Sequence, residues 1–271
     1  MNVVVTGAHG FLGGRVVDAL RSRGCVVTEL GRRDGDLTDD AAAARALSPW
    51  RWDVAINLAG PVTGGNESFE AGLVVARAHS QIALNVRRHA HGRVVHASST
   101  VVYGSPQQAL VREDHPLRPA HLYGLGKVLA EDVLADAIVL RFGGLFGERR
   151  RSGALFHFCR AAHEGAPLRV TTPTPTPWDI LHVDDAAEAI ARAATLDAVP
   201  TGPINIGYGE PIELGAIAKR IAKLGGDRST VEVTVEHPAF HLDVSRARRQ
   251  LGWNPPSLDD RLAALYAELS S

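Results

Sequence analysis

The sequence is short of three things. It has two cysteines, no excess of either charge and no long apolar run. Cys25 falls in an apolar stretch that reads as a strand and Cys159 in one that reads as a helix, without disulfide-framework or metal-site spacing. That fits a reducing compartment. Lys and Arg number 29 against 30 Asp and Glu. No positive field is therefore available for nucleic acid or a membrane surface. No apolar run approaches the roughly 18–20 residues that cross a bilayer. The chain enters a strand at once, with no signal-peptide layout, and no internal repeat is visible. The expectation is a cytoplasmic protein that handles a small molecule, with no nucleic acid, membrane or metal partner. Its 271 residues suffice for one large domain, or a domain with a smaller lobe, around a sizeable core.

What the sequence does have is glycine at a fixed spacing. The strand pattern NVVVT (2–6) leads into TGAHGFLGG (6–14), with Gly7, Gly10 and Gly13 three apart. FLGGRVVDALRSRG then has helical spacing and is closed by Gly24. Further strands are read at 25–30, 53–60, 93–99 and 137–142, with long helices at about 66–90 and 120–135. Strands alternating with helices imply a parallel sheet covered on both faces. The second half is less regular. A helix at 154–165 precedes TTPTPTP (171–177), which cannot continue a helix or a central strand and reads as an extended connector. A strand at 178–183, the helix DDAAEAIARAATL, the short strand PINIGYG, a helix at 211–225, a strand at 231–235 and a helix from about Leu258 follow.

Strand, glycine turn and helix are the parts of a dinucleotide site. Gly7 permits the tight turn, Gly10 lets the backbone approach a pyrophosphate, and Gly13 lets helix and strand pack closely. The helix N-terminus offers free N–H groups to the phosphates.

The motif TGAHGFLG resembles that of the extended short-chain dehydrogenase/reductase superfamily, the group of nucleotide-sugar epimerases, dehydratases and reductases. NLAG (57–60), SSTVVYG (98–104), YGLGK (123–127), LRFGGLFG (140–147), DILHVDDAAEAI, NIGYGEPIEL and LDVSRARRQLGW resemble its later segments, in order and over nearly the whole chain. The resemblance implies an α/β fold: a Rossmann-type doubly wound parallel sheet with a smaller C-terminal substrate lobe. Residues 1–145 with about 178–206 would form the NAD(P)-binding domain, and about 146–177 with 207–271 the substrate lobe. Cofactor-lining positions carried over are Gly7, Gly10, Phe11, Leu12, Gly13, Asp36, Leu37, Leu58, Ala59 and Gly60. The family also implies a homodimer formed through the helices at about 66–90 and 120–135.

Tyr123 and Lys127 lie four apart, on one helix face. A free phenol, with pKa ~10, is a poor acid–base catalyst at neutral pH, and an ammonium one turn away is expected to lower it. Tyr123 would then exchange a proton with the reacting oxygen, with Ser99 hydrogen-bonding that oxygen. The resemblance implies that Lys127 also holds the nicotinamide ribose.

At the end of the second strand the family's ribose-binding acid is replaced by Gly31, followed by Arg32 and Arg33. Loss of the carboxylate and gain of two guanidiniums favour a 2′-phosphate, so NADP(H) is expected ahead of NAD(H). Other departures bear on substrate. Ser99 is followed by Thr100 and Val101, where dehydratases have Asp-Glu, which argues against dehydration. Ala76 stands where the family has an Asn, and Trp178-Asp179 where many members have Arg-Asp. Arg149, Arg150 and Arg151 offer cations for a diphosphate or are simply solvated. His182, Asp184 and Asp185 are read as a packed histidine and a helix N-cap rather than as metal ligands. The reading is an NADP(H)-dependent ketoreductase of a deoxysugar, nucleotide-activated or otherwise, or of a related secondary metabolite. The alternatives are a nucleotide-sugar epimerase with tightly bound NAD(P) and a non-catalytic dinucleotide sensor.

Overall fold

The computed structural model describes residues 1–49, 51–62, 68–106, 108–170, 179–234 and 240–269. The Thr-Pro segment, Trp178 and the end of the strand expected at 231–235 lie outside them.

In chain order, the first half runs β1 (Asn2–Thr6), α1 (Phe11–Arg21), β2 (Val26–Leu30), α2 (Asp40–Leu47), β3 (Val54–Asn57), α3 (Phe69–His89), β4 (Arg93–Ser99), a short 3-10 turn at Thr100–Tyr103, β5 (Leu110–Val111), α4 (Leu122–Val133) and β6 (Ile138–Phe142). The second half runs β7 (Gly144–Phe146), α5 (Ala154–Glu164), β8 (Leu168–Val170), β9 (Ile180–His182), α6 (Val183–Thr195), β10 (Gly202–Ile206), α7 (Leu214–Leu224), β11 (Val231–Val233), β12 (His241–Leu242), α8 (Ser245–Leu251) and α9 (Leu258–Leu269).

Six strands form one parallel sheet in the order β10-β6-β4-β3-β1-β2. Their valine- and isoleucine-rich cores follow from cover on both faces. Val3, Val5, Ile56 and Leu140 join one core, and Val4 and Ala55 join a second on the opposite face. The chain steps from β1 out to β2 and then returns to the other side of β1 at β3. That reversal opens a crevice beyond the carboxyl ends of the strands. Thr6 is in register with Leu30 and with Asn57. The glycine turn, Gly31 and Leu58–Gly60 therefore meet at one rim.

Two helices escaped the sequence reading. In α2 the run of alanines gives high helix propensity but little apolar periodicity, and the local signal is Asp39, which caps the helix by accepting from Ala42 N–H at 2.7 Å. The other is α8. A correction applies at α6, which starts one residue before the expected Asp. His182 is its N-cap, with Nδ1 accepting from Asp184 N–H at 3.3 Å. Asp184 and Asp185 lie inside the first turn, where an acid favours the helix dipole but no longer caps. Asp185 is buried and pairs with Arg261, whose Nε donates at 3.1 Å.

Candidate active site

The glycine turn has the geometry its spacing implies. Gly7 takes φ +70°, and a Cβ there would meet the Leu58 carbonyl at 3.0 Å. A Cβ on Gly13 would lie 2.2 Å from the Gly7 carbonyl oxygen, so α1 reaches β1 only because Gly13 has no side chain. Gly10 is the N-cap of α1 and offers no capping side chain, and the first turn carries no acid. The N–H groups of that turn, Phe11 and Leu12 among them, remain available for an anion. Thr6 ties the turn to β3: its hydroxyl donates to Asn57 Oδ1 at 3.0 Å and accepts from Ala59 N–H at 3.2 Å. The donor set and the open backbone fit a dinucleotide diphosphate.

Across the crevice, α4 carries Tyr123 and Lys127. Two glycines seat this helix. A Cβ on Gly124 would lie 3.0 Å from the Val101 carbonyl oxygen, and one on Gly126 would lie 2.7 Å from Ala76 Cα on α3. Lys127 is buried, and its ammonium donates to the Ala97 carbonyl at 2.9 Å. Ser99, half-buried, ends the same strand, and its Oγ accepts from Val101 N–H at 3.4 Å. Lys127 Nζ lies 5.8 Å from the centre of the Tyr123 ring. The structure thus gathers Ser99, Tyr123 and Lys127 around the end of β4.

The electrostatics correct one expectation. Burial pushes the Tyr123 phenol up to about 12, and the cation opposing that rise is Arg150, not Lys127. Lys127 is itself pulled down to about 8 by burial, against the pull of Glu131. The ammonium is engaged by the Ala97 carbonyl and stands 5.8 Å from the centre of the Tyr123 ring.

Sequence reasoning missed three side chains around this group. Ala76, where the family has an Asn, packs against Gly126, and α3 delivers His79 to the site three residues on. Its Nε2 donates to the Pro61 carbonyl at 2.9 Å, and its ring meets Tyr123 edge-on at 5.4 Å. Burial and Lys127 hold His79 down to about 3, so it stays neutral. Behind Lys127, Glu131 and Arg141 form a buried ion pair at 2.6 Å, and Ser98 donates to Glu131. Of the three arginines the sequence offered as cations, Arg150 is half-buried, whereas Arg149 and Arg151 are exposed.

At the end of β2, Arg32 and Arg33 are exposed. Gly31 N–H donates to Asp34 Oδ2 at 2.8 Å, and the His9 ring fills the space a side chain on Gly31 would need, with Nδ1 2.3 Å from the position of a Cβ. Asp36 Oδ1 accepts from Thr38 N–H and Oγ1 at 2.9 and 2.8 Å, while Leu37 is buried in the core. Glu148, His182 and Asp184 come together, and Arg15 lies 3.3 Å from Glu148 and 3.4 Å from Asp184. The positive charge between those carboxylates is a guanidinium. Among the described residues, no helix is long and apolar enough to cross a membrane.

Residues 3–207 match the model of the NAD dependent epimerase/dehydratase family. A probable low-salt glycan biosynthesis reductase of Haloferax volcanii is 28% identical over 100% of this chain and 99% of that protein. A dTDP-4-dehydrorhamnose reductase of Streptomyces griseus is 30% identical over 90% of this chain and 86% of that one. A UDP-glucose 4-epimerase of Azospirillum brasilense is 26% identical, covering 93% and 87%. Among solved structures, MoeE5 in complex with UDP-glucose and NAD superposes with a TM-score of 0.83 at 24% identity, covering 100% of this chain and 99% of that one.

Proposed function

This chain belongs to the NAD dependent epimerase/dehydratase family, and from that premise we propose that it is an NADP(H)-dependent ketoreductase acting on a deoxysugar, nucleotide-activated or otherwise, or a related secondary metabolite. The observation that carries the reading is the end of β2. A carboxylate there would grip a ribose 2′-hydroxyl and repel a 2′-phosphate. The side chain at position 31 supplies none, and Arg32 and Arg33 follow at the surface beside Asp34, whose carboxylate is engaged by the Gly31 N–H at 2.8 Å. The NADPH pool suits net reduction, whereas an epimerase returns hydride to the molecule it came from and retains its oxidised cofactor. Reductases among the relatives support the reading. Epimerases among them keep the second reading, a nucleotide-sugar epimerase, in play. A sensor needs the glycine turn but not Ser99, Tyr123 and Lys127 at one strand end.

A bound nicotinamide would supply hydride to the carbonyl carbon. Ser99 Oγ holds the carbonyl oxygen, and Tyr123 O–H donates the proton to it. Lys127, fixed by the Ala97 carbonyl, holds the nicotinamide ribose. Leu58, Ala59 and Gly60 line the same rim. The division into a cofactor domain (1–145 with about 178–206) and a substrate lobe (about 146–177 with 207–271) belongs to this proposal. It is supported by β10, at 202–206, which closes the parallel sheet beside β6. So does a homodimer: α3 and α4 pack together and leave Phe69, Leu73, Val74, Leu125 and Leu129 exposed.

The deciding experiment is stoichiometry. With 4-keto-6-deoxy nucleotide-sugars and simple ketones as substrates, absorbance at 340 nm should report one NADPH consumed per product. Isomerisation of an unoxidised sugar without net cofactor change would establish the epimerase instead. A separate result is expected for Arg32 and Arg33. Replacing both by Ala should weaken NADPH about tenfold or more while leaving NADH nearly unchanged, as expected for charge-assisted bonds to one phosphate. Calorimetry showing equal losses for both cofactors would remove the basis for the NADP(H) preference.

A further inference from the structure

The turn GERRRSG places three arginines in a row, and the fold treats one of them differently. Arg149 has φ +69°, in the left-handed region that a non-glycine residue enters at a cost. Its neighbour Arg150 is turned inward. The Arg150 guanidinium lies 5.9 Å from the centre of the Phe11 ring, at the first turn of α1, and donates to the Leu145 carbonyl. It lines a cavity of about 280 Å³ together with Phe146, Phe156, Ile180 and Leu265. Its charge also reaches the Tyr123 phenol.

Arg150 has no carboxylate partner among the described residues. The nearest acid in sequence, Glu148, is taken by Arg15 and lies 3.4 Å from His182 Nε2. Arg15 in turn spans Glu148 and Asp184, so it is spent as a cation. A half-buried guanidinium with only a carbonyl partner leaves most of its five N–H donors unused. Taking a charge out of water is unfavourable unless an anion compensates it. A guanidinium is also shaped to bind phosphate oxygens in pairs.

We propose that Arg150 holds a phosphate group between the glycine turn and Tyr123, closing the site over an anion that the α1 N-terminus engages from the other side. Two ligands carry that chemistry, the diphosphate of the dinucleotide and the diphosphate of a nucleotide-sugar. The inference rests on the family reading of the site, and it deepens that reading by assigning a residue on the substrate side.

The test uses Arg150→Met, which keeps much of the apolar stem, and Arg150→Lys, which keeps the charge. Calorimetry would measure NADPH and NADH on the free protein, then UDP and dTDP on protein saturated with NADP. Arg150→Met is expected to weaken one pair of probes about ten- to hundredfold. Arg150→Lys should recover part of the loss, while Arg151→Met changes neither pair. Equal loss of NADPH and NADH assigns the cofactor diphosphate, and loss of UDP and dTDP assigns the substrate diphosphate. Binding unchanged for all four probes in Arg150→Met overturns the inference, as does wild-type protein that binds none of them. The cofactor-preference reading fails differently, when Arg32 and Arg33 prove not to distinguish NADPH from NADH.

Discussion

Replacing Tyr123 by Phe is expected to lower kcat by about 10²–10⁴, the range for loss of a general acid, while NADPH binding is kept. The expectation follows from what the substitution spares. The ring remains, and with it the edge-on contact to His79 and the packing of α4 against α3. Only the hydroxyl goes. A phenol pushed up to about 12 is fully protonated at neutral pH, so in the reductive direction it already carries the proton the carbonyl oxygen must receive. Phe cannot carry it, and Ser99 can hold the oxygen but is a far weaker source of a proton. Steady-state kinetics with a competent ketone, beside a calorimetric Kd for NADPH, separate the two effects. A Phe variant with near-normal kcat would mean that another group is the acid.

The parts of the site carried by local spacing were legible in the sequence. Gly7, Gly10 and Gly13 announce themselves because each answers a steric demand within a few residues. Tyr123 and Lys127 share a helix face by periodicity alone. Strands β1, β3 and β6 were visible because burial on both faces makes them nearly continuous apolar runs. What was not legible depends on tertiary approach. His79 is an ordinary helix residue until Gly126 lets α3 and α4 touch. Arg150 is one of three like residues until the left-handed turn at Arg149 selects it. The cap of α6 went to His182 rather than to an aspartate because the helix starts one residue earlier than its acidic pair suggests. Electrostatic strength failed most directly, since spacing gave Lys127 beside Tyr123 but could not show that burial would weaken that lysine.

That weakened lysine makes Glu131 a second point of large effect. Glu131 and Arg141 are 8% and 4% exposed, with Nη2–Oε2 at 2.6 Å and Nε–Oε1 at 3.1 Å. Arg141 also donates to the Tyr103 hydroxyl at 2.9 Å, and that hydroxyl donates to Asn205 at 2.6 Å. Glu131→Gln leaves a buried guanidinium without its counter-charge, for which the expected cost is about 3–5 kcal/mol in urea unfolding. Removing both charges in Glu131→Gln/Arg141→Met should cost less than the sum of the single variants, because the pair acts as a unit. A purely structural pair would stop there. Glu131 also holds Lys127 up against burial, at about 8. Lys127 therefore loses its proton as pH rises through about 8, and reductive kcat/KM should fall above that pH in the wild type. Stability moves the opposite way: between about 8 and the unfolded chain's value of about 10.4 the unfolded state binds more protons, so this group adds stability as pH rises. In Glu131→Gln the descending limb of kcat/KM should begin at lower pH. A limb that stays in place while stability drops would confine Glu131 to holding the fold and leave the lysine's charge to other causes.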